Sequence, residues 1–190
     1  VNISFLPAGP DRGIVFRRID LKGKPEIKAD PFSVTSTKRC TSIGLKESDD
    51  SPRIYTVEHI MAALWASEID NIIIEIDAPE IPAADGSAYP FIELIEKAGI
   101  KKLSSYRKEW APEKPLWSET EDMSIIILPY QGFKVSYTLD YDHPVVGTQF
   151  FEFDKSNCCF KEEIARARTF GFKREIEALH RRGLAQGGSL

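Results

Sequence analysis

The sequence predicts an α+β protein organised in two similar halves. Strand-length apolar runs such as NIIIEI and SIIIL alternate with segments that have the apolar spacing of helices. The order of elements in the first half returns in the second, although no sequence repeat accompanies it. Residues 104–122 between the halves are charged and contain two prolines, as is typical of a connection or an edge hairpin. We therefore expect one α+β domain over residues 1–105 and a second over residues 106–190.

The first half begins with strands and continues into a helix of clear periodicity. Strands are expected at residues 2–6, 14–16 and 41–45, where short apolar or alternating runs are bounded by turn residues. The helix that follows has Thr56 as its expected N-cap. Its apolar positions have the spacing of one helix face and are Val57, Ile60, Met61, Leu64 and Trp65.

The first half ends with one more strand and one more helix. The run NIIIEID at residues 71–77 is β-branched and almost continuously apolar, as in a strand that helices cover on one face. After a proline-rich loop, Ser87 is suited to cap a helix over residues 88–98, and Gly99 is suited to end it.

The second half repeats this order of elements. Strands are expected at SIIIL, FKVSYTLDY and TQFFEF. A helix is expected from about residue 160 to residue 167, then a break at TFGF, then a helix over residues 173–182.

Composition and charge exclude several classes of protein. The net charge is −4, and 25 basic residues are scattered among 29 acidic ones, so we expect no nucleic-acid partner. No apolar run has the length of a transmembrane segment. The three cysteines form no CxxC pair and are expected to be reduced thiols in the cytoplasm. Because the chain opens on a strand pattern without Met, we expect residues to be missing before Val1.

Two titratable residues, Glu58 and His59, stand in the first turn of the first predicted helix. The unpaired N–H groups and the positive dipole end there favour an ionised carboxylate and a neutral imidazole. Neutral imidazole is the metal-ligating form of histidine, and a carboxylate beside a metal site is a common general base. The pair alone favours a plainer interpretation, a solvated first turn without chemistry, because short motifs often arise by chance.

Four motifs change that balance: TVEHIMAAL, IDNIIIEIDAPEIPAADGSAYPF, ARARTFGF and RGLAQGGS. In this order they resemble the zinc-dependent UDP-3-O-acyl-N-acetylglucosamine deacetylase family of lipid A synthesis. The resemblance runs from about Leu6 to the last residue. It implies two domains that each pack a sheet on a pair of helices, with an active-site cleft between the helix layers. It also implies an enzyme that removes acetate from the sugar nitrogen of a UDP-3-O-acyl-N-acetylglucosamine substrate.

The resemblance implies a role for each of three residues. His59 matches the first zinc ligand, and Glu58 matches the general base. Thr169 matches a hydroxyl that stabilises the oxyanion formed as water adds to the amide carbonyl. The alternative role for Thr169 is a structural cap before Gly171.

The substrate contacts are also implied by the resemblance. Tyr141, with Asp140 before it, matches the aromatic residue that stacks on the uracil ring. Cys40 matches a position near the metal, although a thiol there is equally consistent with buried structure. An apolar passage for the acyl chain would be lined by Phe170, Phe172, Ile176, Leu179, Ala185 and Gly188. Ile176 and Leu179 are also spaced as ordinary helix core residues would be.

The main departure from the family pattern concerns the metal. The family's other zinc ligands and a later catalytic histidine would fall after Leu190, and neither His143 nor His180 aligns with them. We therefore expect an N- and C-terminally incomplete chain that alone binds zinc poorly and is inactive. The alternative is a non-catalytic nucleotide-sugar or lipid-binding domain that has lost the metal. In either case a monomer is expected.

Overall fold

The computed structural model describes residues 1–45, 48, 50–173, 175–176 and 181. The chain forms two compact units. The first unit comprises Val1–Tyr106 and the described residues of Ile164–Leu190, and the second unit is Arg107–Glu163. The domain bounds predicted from the sequence stay a prediction, but residues from 164 onward group with the first unit and not with the residues just before them.

The described residues contain strands in both units and three α-helices, so the predicted α+β class is confirmed. In chain order the elements are β1 (Ile3–Pro7), β2 (Ile14–Arg18), β3 (Glu26–Lys28), β4 (Val34–Ser36), β5 (Ser42–Gly44), β6 (Arg53–Ile54), α1 (Glu58–Ala66), β7 (Ile72–Ile76), α2 (Tyr89–Ala98), β8 (Leu116–Glu119), β9 (Ser124–Ile127), β10 (Lys134–Asp140), β11 (Thr148–Asp154) and α3 (Phe160–Glu163). Among these helices, none is long and apolar enough to cross a bilayer.

A mixed four-stranded sheet organises the first unit. Its strand order is β1-β7-β2-β3, and β7 pairs antiparallel with β1 and parallel with β2. The β-branched sequence of β7 suits this central place, and its alternate residues Ile72, Ile74 and Ile76 are buried. A smaller antiparallel sheet has the order β4-β5-β6.

Helices α1 and α2 of the first unit bury part of the apolar faces that the sequence predicts, while Met61 and Trp65 of α1 are partly exposed. Helix α1 buries Ile60, Ala63 and Leu64, and α2 buries a similar stripe of Phe91, Ile92 and Ile95. The C-terminal end of α2 agrees with the predicted cap, whereas the residue directly before the helix is Ala88, which offers no side-chain cap, and the predicted cap Ser87 lies one residue earlier. The hydroxyl oxygen of the buried Ser87 accepts a hydrogen bond from the Tyr89 N–H at 3.2 Å, and Gly99 ends the helix with φ +79°.

The second unit consists of two hairpins and a short helix. Strand β8 pairs with β9, and β10 pairs with β11 over seven residue pairs. The buried ring of Phe153 meets Phe160 of α3 edge to face, at 6.0 Å between centroids. The helix predicted from about residue 160 to residue 167 ends at Glu163, because the next residues leave the helical path to contact the first unit's own elements.

Candidate active site

Helix α1 begins at Glu58. Thr41, the residue just before β5, makes two hydrogen bonds at the start of this helix. The Thr41 N–H donates to Glu58 Oε2 at 3.0 Å, and the Thr41 carbonyl accepts from the Val57 N–H at 3.2 Å. One carboxylate oxygen of Glu58 is thereby fixed, while the side chain stays only partly buried.

Thr56 does not cap α1 as the sequence predicted. It has φ +62°, in the left-handed region, and its hydroxyl donates to Glu80 Oε1 at 2.7 Å. The residue that precedes the helix is Val57, which offers no side-chain cap. The prediction was wrong because the chain changes hydrogen-bond partner at this point. Tyr55 pairs with residues 79–81, whereas Val57 pairs with Thr41.

His59 is the second residue of α1 and is partly exposed. Within the described residues, no group of three His, Cys, Asp or Glu side chains is arranged to hold a metal ion. Cys40 directly precedes Thr41, is partly buried, and has its Sγ 3.6 Å from the Ser42 hydroxyl. The structure therefore places Glu58, His59 and Cys40 around the start of one helix.

The loop of residues 78–87 contacts both the residues just before α1 and the segment that contains Thr169. Near its start, the Tyr55 N–H donates to the Pro79 carbonyl at 2.8 Å. Near its end, the Thr169 N–H donates to the Gly86 carbonyl at 2.8 Å, and Arg168 Nε donates to the Asp85 carbonyl at 2.7 Å. One loop thus makes contact with both sequence regions that were predicted to carry catalytic groups.

Further contacts hold the segment of residues 165–169 against the start of α2. The Tyr89 N–H donates to the Ala165 carbonyl at 3.0 Å, and the Ala165 side chain is fully buried. The guanidinium carbon of Arg166 lies 3.6 Å from the centroid of the Tyr89 ring, within the range of a cation–π interaction. Thr169 itself is exposed, and its backbone N–H is held by the Gly86 carbonyl.

The Asp85 side chain stabilises the turn that these contacts use. Its Oδ1 accepts from the Ser87 hydroxyl at 2.7 Å and from the Ser87 N–H at 3.0 Å. The hydroxyl bond is the main reason that the pKa of the Asp85 carboxyl lies below its usual value. The carboxylate form, which makes these bonds, is therefore maintained through neutral pH and lost only as the pH falls through that lowered pKa.

The residues predicted to line the acyl passage are described only in part. The rings of Phe170 and Phe172 meet edge to face at 5.9 Å, and Phe170 is exposed. The Ile176 N–H donates to the Phe172 carbonyl at 3.1 Å. Leu179, Ala185 and Gly188, like His180, lie outside the described residues.

The predicted uracil contacts lie in the second unit, at the end of the β10/β11 hairpin. Thr148 donates its hydroxyl hydrogen to Asp140 Oδ1 at 2.5 Å, and the Tyr141 N–H donates to the Gly147 carbonyl. The Tyr141 side chain is exposed. The His143 Nδ1 accepts hydrogen bonds from two backbone N–H groups, those of Val145 and Val146. The His143 ring therefore has a structural role in its own loop.

Comparison with known proteins identifies the family. The family model of UDP-3-O-acyl N-acetylglycosamine deacetylases, LpxC, matches residues 1–190. The chain belongs to this family. It is 46% identical to the UDP-3-O-acyl-N-acetylglucosamine deacetylase of Acidithiobacillus ferrooxidans, and 44% identical to those of Aliivibrio fischeri and Haemophilus influenzae. Each match covers 100% of this chain and 62% of the relative.

The family resemblance predicted from the four motifs is therefore confirmed. The role of each individual site residue stays a prediction. Sequence reasoning missed the groups that position those residues. Thr41 and Glu80 had no local signal, since each acts on α1 from a distant part of the chain. The Asp85-Gly86-Ser87 turn did have one, because Asp-Gly-Ser is a typical turn sequence.

We expect the Gly86→Ala substitution to destabilise the fold where Thr169 is attached. Gly86 has φ +84°, which costs an L-residue about 1–2 kcal/mol. A Cβ there would lie 3.5 Å from Thr169 Cγ2, so space is adequate and the backbone conformation is the reason. The melting temperature of the complete gene product should fall by about 2–8 °C. Gly9→Ala is the matched control, because Gly9 has no positive φ and nothing within 4 Å of an added Cβ. Equal melting temperatures for both variants would contradict the prediction.

Proposed function

We propose that the complete gene product containing this chain is a metal-dependent amide hydrolase. It removes acetate from the sugar nitrogen of UDP-3-O-acyl-N-acetylglucosamine, a step of lipid A synthesis. The observation that carries the proposal is the Glu58 carboxylate, which is held through one oxygen at the start of α1 beside a partly exposed imidazole. Membership of the family supports the same reaction. The chain spans 62% of the length of its relatives, so the activity is proposed for the complete protein.

The metal that we propose is zinc. When bound, zinc polarises the amide carbonyl and makes water more acidic. The described residues do not form a complete zinc site, since His59 stands without two further ligands grouped around it. We assign the remaining ligands to the part of the relatives' length that this chain does not match. The 190-residue chain alone should accordingly bind zinc poorly and be inactive.

The chain's own residues then have separate tasks. Glu58 accepts the proton of the attacking water, because its carboxylate is held in place by the Thr41 N–H and lies next in sequence to the proposed zinc ligand His59. Thr169 donates a hydrogen bond to the oxygen that gains charge as the amide carbonyl is attacked. Its peptide N–H is already bonded to Gly86, so the hydroxyl is the group left for the substrate.

The substrate's two ends suit different parts of the chain. The exposed ring of Tyr141 offers a face on which uracil can stack, and Asp140 beside it is fixed by Thr148. The exposed ring of Phe170, supported by Phe172, offers apolar surface to the acyl chain. Ile176 and the undescribed Leu179, Ala185 and Gly188 are proposed to extend that surface, and Cys40 to lie beside the metal. We propose that the protein acts as a cytoplasmic monomer.

Metal content tests this proposal directly. The complete gene product, expressed with zinc and dialysed, should retain about one zinc per chain, and His59→Ala should weaken zinc binding at least about tenfold because a ligand is lost. His143→Ala is the matched control, since the His143 ring already serves its own loop. Retention of zinc by His59→Ala would overturn the assignment. Binding of the UDP-sugar without zinc or acetate release would support the non-catalytic alternative instead.

A further inference from the structure

We infer that Glu80 is a positioning residue. It acts through Thr56 on the first turn of α1, where Glu58 and His59 lie. This inference rests on the proposed function of Glu58 and His59. Glu80 lies in the 78–87 loop and contacts Tyr55 and Thr56, the residues that lead into α1. Its effect would be on the direction in which the helix begins.

The first step of the argument is the strain at Thr56. Among the described non-glycine residues with positive φ, Thr56 is the only β-branched one. Branching at Cβ makes the left-handed conformation especially unfavourable, so such a residue keeps it only where its surroundings impose it. Thr56 lies two residues before Glu58, and the strained conformation therefore sets the path of the chain into α1.

The second step is the way in which Glu80 imposes this conformation. The Tyr55 N–H donates to the Pro79 carbonyl at 2.8 Å, and the Ile81 N–H donates to the Tyr55 carbonyl at 3.1 Å. The backbone on both sides of Glu80 is thus tied to Tyr55, and the side chain of Ile81 is buried. The Glu80 carboxylate is presented to the next residue, Thr56, whose hydroxyl donates to it at 2.7 Å. A hydroxyl bond to a carboxylate is charge-assisted, and this one lies at the protein surface, where Glu80 is exposed.

The third step is the consequence for the site. The Tyr55 backbone is hydrogen-bonded to the 78–87 loop, and the Val57 backbone is hydrogen-bonded to Thr41. Only Thr56 lies between these two attachments. If Thr56 relaxes to an ordinary φ, the Val57 N–H and the Glu58 carboxylate can no longer both meet Thr41. The general base would lose the contact that orients it, and the neighbouring imidazole would turn with it.

The test combines five variants of the complete gene product, four with single substitutions and one with two. Glu80→Ala should lower kcat about 10- to 100-fold with little change in KM, because a small misplacement of the base affects chemistry more than substrate binding. Glu80→Gln keeps an oxygen acceptor and should restore most of kcat. Thr56→Gly accepts positive φ without strain, so adding Glu80→Ala to it should cost less than about twofold. Glu93→Ala, on the exposed side of α2, should leave kcat unchanged.

Amide hydrogen exchange provides a second readout that does not require activity. In Glu80→Ala the Val57 amide should exchange at least about fivefold faster, because its bond to Thr41 opens more often. Equal losses of kcat from Glu80→Ala in the wild-type and Thr56→Gly backgrounds, or unchanged exchange at Val57, would overturn the inference. If the wild-type protein releases no acetate, the proposed function fails, and the exchange measurement alone decides the role of Glu80.

Discussion

Glu58→Gln in the complete gene product is expected to lower kcat for acetate release by about 10²- to 10⁴-fold, the usual contribution of a general base. The amide oxygen of glutamine can still accept the Thr41 N–H, so the first turn of α1 should keep its geometry. What is lost is the basic oxygen that receives the proton. The variant should therefore separate chemistry from folding.

The measurement is steady-state acetate release, with the melting temperature recorded in parallel. Glu93→Gln makes the same chemical change on the exposed side of α2 and is the matched control. An activity of Glu58→Gln within about threefold of wild type, or a loss accompanied by a large fall in melting temperature, would count against the general-base role.

Phe16→Ala is expected to have the largest effect on stability. Phe16 is fully buried in β2, where it pairs with Ile74 of β7 and Ile27 of β3, and both of these are also fully buried. Truncating a buried phenylalanine costs about 3–5 kcal/mol, because contacts are lost and a cavity is left. In a chain of about 150–250 residues a loss of this size lowers the melting temperature by about 6–20 °C, and the longer complete gene product should show a fall at the low end of this range.

The same substitution at an exposed site provides the control. Phe32 is 86% exposed, so Phe32→Ala should change the free energy of unfolding by no more than about 0.5 kcal/mol. Thermal unfolding of both variants of the complete gene product would check this. If the two substitutions change the free energy of unfolding by similar amounts, Phe16 does not belong to the buried core around β2.

The sequence predicted the elements whose side chains repeat with a clear period. Strand β7 and helices α1 and α2 were located within one or two residues, because their apolar positions follow the strand or helix period over several residues. Strands β3, β4 and β6 were missed, since two or three residues show little alternation, whereas the equally short β5 lies within the run expected at residues 41–45. The existence of these short strands depends on pairing partners elsewhere in the chain. Strand β8 lies in the segment that was expected to be a connection or an edge hairpin.

The candidate site was predictable where residue chemistry carries the signal. Glu58 and His59 were selected by residue type and helix position. The groups that orient them were not, because Thr41 and Glu80 act through bonds that span 17 and 24 residues. Such contacts depend on tertiary structure, and no local period or propensity reports them.

The attachment of residues 165–169 to the start of α2 has a consequence for synthesis on the ribosome. The first unit is encoded in two stretches, and the whole of Arg107–Glu163 is translated between them. At about 5–20 residues per second, the Gly86 carbonyl and the Tyr89 N–H emerge several seconds before their partners do. Until Ala165 and Thr169 are translated, the Tyr89 N–H and the Gly86 carbonyl lack these two partners, and the contacts of the first unit are complete only afterwards.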